Sequence, residues 1–125
     1  MADSLIDTNV LSKIFYGNVD VKNYVESLEA GIDTIVFIEC IQGSISNSDK
    51  NRIKKTLQKL DYFGLTREIG ELATELIDDY SNSHGLFLAD AIIAATALEN
   101  DLTLITYNFD DFKFIKGLKV IKPLV

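Results

Sequence analysis

A three-layer α/β/α sandwich on a mostly parallel sheet of four or five strands is the fold class this sequence predicts. Two observations predict it: short β-favouring runs recur along the chain, and the stretches between them carry the apolar spacing of helices. Strands separated by helical crossovers cannot pair as hairpins, so they lie parallel with helices on both faces of the sheet.

The elements follow in order. Ser4 to Ile6 is the first strand, and a helical pattern covers Val10 to Tyr16. Val21, Tyr24, Val25 and Leu28 then mark an amphipathic helix, with Gly31 placed to end it in a left-handed conformation. Thr34 to Phe37 reads as the second strand, with helical patterns over Phe37 to Ser44 and Asp49 to Tyr62. Phe63 to Leu65 is the faintest strand signal. Ile69, Leu72, Ala73, Leu76, Ile77 and Tyr80 form the second clear amphipathic helix, which Gly85 ends. A helix over Asp90 to Glu99 precedes the last two strands, Thr103 to Thr106 and Leu118 to Ile121.

The 125 residues, 47% of them hydrophobic, suffice for one core but not two, so residues 1–125 form a single expected domain. No repeat or low-complexity tract interrupts them, and the only proline is Pro123. The one cysteine, Cys40, rules out a disulfide framework and a thiolate metal site, which fits a reducing cytoplasm. The N-terminus carries acids where a signal peptide needs basic residues. Apolar runs such as Ala91 to Ala95 fall far short of the roughly 18 residues that span a bilayer, so a cytoplasmic protein without membrane insertion is expected.

A net charge of -7 argues against nucleic acid as a partner, but the distribution qualifies the sum. Lys50, Arg52, Lys54, Lys55 and Lys59 crowd into ten positions, and Lys113, Lys116, Lys119 and Lys122 form a second group. The first run is either a solvated helix face or a seat for a phosphate backbone.

Carboxylates recur at strand ends. Asp7 follows the first strand, where it could serve chemistry or cap a helix starting near Asn9. Glu39 lies among Phe37, Ile38, Cys40 and Ile41, either a first-turn acid favoured by the helix dipole or a site residue. Asp90 opens a helix whose Ile93, Ala94, Ala97 and Leu98 share its face, a costly place for an uncompensated acid. Asn108, Asp110 and Asp111 follow the fourth strand, where any of them could cap a short helix. In a parallel sheet these positions gather at the carboxyl edge, where ligands bind. Two carboxylates about 4 Å apart repel by roughly 4 kcal/mol at an effective dielectric near 20, so the cluster implies a cation. Oxygen ligands select a hard ion, Mg²⁺ or Mn²⁺, over zinc. The only histidine, His84, sits at a helix end as a dipole partner.

These residues resemble the PIN-domain ribonucleases, and within them the VapC-type toxins of toxin–antitoxin pairs. The resemblance covers the whole chain. It rests on Leu5-Ile6-Asp7-Thr8-Asn9-Val10-Leu11, Ile38-Glu39-Cys40-Ile41-Gln42-Gly43, Leu88 to Ala97 and Leu104 to Phe112. It implies that Asp7, Glu39 and Asp90 bind metal and that Asn108 stands where many relatives carry a fourth acid, with Asp111 a nearby substitute. It also places Thr8 and Thr106 beside the metal. By the same resemblance Mg²⁺ activates a water for in-line attack on an RNA phosphodiester, leaving 5′-phosphate and 3′-hydroxyl ends. An antitoxin partner and a homodimer are implied as well. Two rivals stand beside it. In an aspartyl-phosphate phosphatase Asp7 would be the nucleophile, but Asn9 takes the place of the required acid. A catalytically silent binding module would not need Asp7, Glu39 and Asp90 intact.

Overall fold

The computed structural model describes all 125 residues, Met1–Val125. The strands are β1 (Ser4–Ile6), β2 (Ala30–Asp33), β3 (Asp61–Phe63), β4 (Thr103–Ile105) and β5 (Val120–Ile121). The helices are α1 (Thr8–Phe15), α2 (Val19–Glu26), α3 (Thr34–Gln42), α4 (Asn47–Leu57), α5 (Arg67–His84) and α6 (Leu88–Glu99). The strands pair in the order β3-β2-β1-β4-β5, every pair parallel. The chain moves one way from β1 through β2 to β3, then returns past β1 to β4 and β5. Right-handed crossovers therefore put α1 to α4 on one face and α5 and α6 on the other. The expected α/β/α sandwich forms, with five strands. The direction of winding reverses between β1 and β4, which opens a crevice at their carboxyl ends.

One buried cluster runs through the sheet. Leu5, Ile6, Leu104 and Ile105 of the central strands are 0–1% exposed. Against them lies α6, whose Ala91, Ile93, Ala94, Ala95, Thr96 and Ala97 are all buried. Small residues on successive turns let this helix sit deep, with α5 packed on its outer side. Phe112, 0% exposed, closes the core beyond β4. No helix is long and apolar enough to cross a membrane.

Several boundaries differ from those the sequence predicts. The segment Thr34 to Phe37 is not a strand but the start of α3, and β2 lies earlier, at Ala30–Asp33. Its β-branched residues favour a strand, yet Asp33 accepts the Val36 N–H at 2.8 Å, which starts a helix at Thr34. Gly31 ends no helix. It lies inside β2, where an added Cβ would meet Phe63 Cε2 of β3 at 2.5 Å, so its bare backbone makes room for the neighbouring ring. The helix predicted to reach Tyr62 stops at Leu57, because Asp61, Tyr62 and Phe63 pair with Gly31, Ile32 and Asp33 as β3. The strand predicted over Phe63 to Leu65 is therefore displaced by two residues. Gly85 behaves as predicted, with φ of 68° after α5.

Candidate active site

The crevice between β1 and β4 is built first from backbone. Asp7 continues β1, its N–H donating to Ile105 O at 3.0 Å, and the chain then turns directly into α1. Asp7 caps that helix, Oδ1 accepting the Thr8 N–H at 2.8 Å. Across the crevice Thr106 continues β4 and is fully buried. Its hydroxyl accepts the side-chain N–H of Asn9 at 3.1 Å and the backbone N–H of Asn108 at 3.0 Å. Both lone pairs are thereby occupied, so its single proton goes to Asp7 Oδ2 at 2.8 Å. Asp7 is held as an acceptor, with donors on both oxygens.

Thr8 joins a third element to this pair. Its hydroxyl donates to Glu39 Oε1 at 2.7 Å. Glu39 is the sixth residue of α3 rather than a first-turn acid, so the helix dipole does not account for it. A half-buried acid on that face, bracketed by Val36 and Cys40 of the core, is held by a hydroxyl from α1 instead. Asp90 lies in the first turn of α6 as predicted and is half-buried.

Electrostatics shows which acids share the crevice. Burial pushes the Asp90 carboxyl up to about 6, and the charges of Asp7, Asp111 and Glu39 add to the rise. Burial also raises Asp7; hydrogen bonds from Thr106 and Thr8 oppose this, while Glu39 and Asp111 reinforce it. Asp110 contributes to neither, being paired with Lys113 at 3.0 Å. Of the late cluster, Asp111 is thus the acid that acts on the crevice. Asn108 is exposed, and its side chain caps nothing; it enters through its backbone N–H on Thr106.

The acids are close enough to raise one another's affinity for protons. They are not drawn into a finished cage, since no three His, Cys, Asp or Glu side chains stand within coordinating reach of one point. Their donor chemistry fits a hard divalent ion: all oxygen, with Asp7 buried and Glu39 and Asp90 half-buried, carrying excess negative charge with no cation paired to any of the three. Cys40 is no candidate, its thiol pushed up to about 12 by burial and by Glu39 and Asp7. His84 ends α5, exposed and stacked on Phe114 at 4.2 Å.

The basic run does not form one patch. A groove of about 300 Å³ holds Arg52 together with Thr8, Glu39, Tyr16 and Ile45. Arg52 is tied there to Asp49 at 2.6 Å and to the Phe15 carbonyl at 3.1 Å. Lys59 lines separate cavities with Glu26. Lys50 and Lys54 are half-buried and Lys55 is exposed. On the other flank of the crevice Lys122 shares a wide cleft with Asn108 and Asp111.

Two residues of this region escape the sequence reading. Asn9, expected only near the start of a helix and as a missing acid, clamps the crevice: its amide donates to Thr106 and its Oδ1 accepts the Tyr107 N–H at 3.1 Å. Asp33, at the end of β2, is fully buried. Its signal was an Asp three residues before a helical Val36 N–H, hidden once the strand was placed at Thr34.

The comparisons with known proteins agree with this architecture. Ribonuclease VapC1 of Rickettsia felis is 30% identical over 94% of this chain and 93% of its own. The toxin–antitoxin complex from Klebsiella pneumoniae includes a chain 31% identical, with a TM-score of 0.80 over 94% of this chain and 95% of that one. VapBC2 from Rickettsia felis, bound to a DNA fragment from its promoter, shares the fold at a TM-score of 0.84 and 21% identity, over 96% of this chain and 98% of that one. The PIN domain family matches residues 4–118, and with the crevice acids in the places described, this chain belongs to the PIN domain family.

Proposed function

We propose that this chain is a divalent-metal-dependent ribonuclease, the toxin of a VapBC-type toxin–antitoxin pair. The observation that carries the reading is the shared field of Asp90, Asp7, Asp111 and Glu39, four acids from four segments of the chain converging on the one crevice the topology opens. The VapC1 name of the Rickettsia felis relative and the toxin–antitoxin complex from Klebsiella supply the reaction class and the biological setting.

Asp7, Glu39 and Asp90 would hold the ion, with Asp111 closing the ring in place of Asn108. Bound Mg²⁺ or Mn²⁺ supplies a nucleophilic water at neutral pH and neutralises charge developing on the phosphate. The chain's own residues prepare for it. Thr106 fixes the direction of Asp7, Thr8 fixes Glu39, and Asn9 ties the β4 loop to α1, so Asp7 and Glu39 keep their orientation without a cation. The groove with Arg52 and the cleft with Lys122 lie on either side, where a single RNA strand can pass with its backbone near a positive charge. The exposed apolar side chains Ile38, Phe87 and Leu88 suit an antitoxin partner or a second copy in a homodimer. The proposed compartment is the cytoplasm, where such RNA is found.

The test is a cleavage assay of a defined RNA pool with Mg²⁺, Mn²⁺ or chelator, followed by analysis of the ends. Metal-dependent fragments bearing 5′-phosphates are expected. Fragments formed equally with chelator, or ending in 2′,3′-cyclic phosphate, would overturn the reading.

A further inference from the structure

Asp33 is 0% exposed and lines neither groove beside the crevice, although the charges of Asp7 and Glu39 reach it. Its Oδ1 caps α3 through the Val36 N–H at 2.8 Å, while its Oδ2 is the one buried side-chain oxygen without a hydrogen-bond partner. The side-chain hydroxyl that faces this carboxyl is Thr96 of α6, but Thr96 spends its proton on the Ile92 carbonyl at 2.8 Å. An ionised Asp33 would then present a charge-bearing oxygen without a donor to a hydroxyl already committed to Ile92, a costly arrangement in a dry interior. A protonated Asp33 resolves the conflict, because its O–H can donate to the free lone pair of Thr96 while Thr96 still donates to Ile92.

We propose that Asp33 is a positioning residue that keeps its proton in the folded protein to higher pH than an exposed aspartate does and, while protonated, spends it on Thr96, fastening the helix that bears Glu39 to the helix that bears Asp90. The contact joins the first residues of α3 to the third turn of α6, two helices that pack together. The balance of the surroundings favours the neutral form. Burial pushes the carboxyl up to about 6; Asp7 on β1 and Glu39 on α3 add to the rise, and only the Val36 N–H and Thr96 oppose it. The fastening is independent of the nuclease reading, and its test needs neither RNA nor metal.

Thermal melts of the metal-free protein, wild type against Asp33→Asn, Asp33→Ala and Thr96→Val, measured from pH 4 to 7.5, test it. Asparagine supplies the same acceptor to Val36 and a permanent donor to Thr96. A raised acid pKa makes wild type lose stability as pH climbs from about 4 to about 6, so Asp33→Asn should match wild type near pH 4 and melt roughly 5 °C higher at pH 7.5. Asp33→Ala and Thr96→Val should melt lower than wild type at pH 4, and their double variant no lower than the worse of the two. An Asp33→Asn protein that melts below wild type by the same amount at every pH, or strictly additive losses in the double variant, would overturn the proposal.

Discussion

Asp7 and Asp33 occupy matching positions, at the junction of a parallel strand and the helix each caps, but their carboxyl oxygens are satisfied differently. Asp7 receives donors on both oxygens, including a Thr106 hydroxyl that has no other outlet for its proton. Asp33 receives one donor and leaves its second oxygen facing a spent hydroxyl. The difference follows from where their strands end. The central strand β1 empties into the crevice opened by the reversal of winding, whereas β2 empties under α3 and α6. A strand–Asp–helix junction therefore yields a poised carboxylate or a buried acid according to the neighbour it meets, not according to its own sequence.

The same substitution applied at each acid separates the cases, most strongly at Asp7. Asp7→Asn places an amide against the Thr8 and Thr106 donors and removes a crevice charge, so RNA cleavage should fall by about 10²–10³-fold and the melting temperature should drop. Initial rates on a fluorogenic RNA and a melt of the same sample check both. Asp90→Asn should cost comparable activity but move stability the other way in metal-free protein. An acid whose folded carboxyl sits at about 6 destabilises the fold as pH rises from about 4 to about 6, so at pH 7.5 the amide should stabilise by about 1–2 kcal/mol. A chemical denaturation curve with chelator present reads this directly.

Thr106→Val comes next, since it leaves the Asn108 N–H and the Asn9 amide without their common acceptor. A loss of about 1–3 kcal/mol and a roughly tenfold slower cleavage are expected, measured by denaturation and by kcat at saturating RNA. A smaller effect concerns protons and metal together. Because burial and neighbouring charge raise Asp90 to about 6, Mn²⁺ affinity should weaken below pH 6, up to about tenfold per pH unit for each proton displaced. Calorimetry at pH 5 and 7.5 checks it. The smallest effect is on the flanks: Arg52→Ala and Lys122→Ala should raise KM a few-fold and leave kcat near wild type, whereas Lys55→Ala should change neither.

The order of strands and helices was legible because the hydrophobic period of the longer elements follows the face they bury, and so were the positions of Asp7 and Asp90, at the ends of strongly patterned elements. The second strand was not. Thr34, Ile35, Val36 and Phe37 carry high strand propensity, and only a capping bond from Asp33 converts them into a helical turn. That single shift of boundary concealed a fully buried acid and made Glu39 look like a helix-start residue. Gly31 misled for a related reason: a glycine needed for the close approach of Phe63 looks, in sequence, like a glycine that ends a helix. Asn9 and Thr106 bond each other across 97 positions, a pairing no local pattern reports. The Lys50 to Lys59 run illustrates the converse, since adjacency in sequence placed Arg52 and Lys59 in different cavities.

The central claim, that the crevice acids jointly hold a divalent ion, is tested most directly by isothermal titration of Mn²⁺ into wild type, Asp7→Asn and Asp90→Asn at pH 7.5. The predicted result is saturable binding to wild type that weakens at least tenfold in each variant while both remain folded. Equal binding by all three proteins, or none by folded wild type, would contradict it.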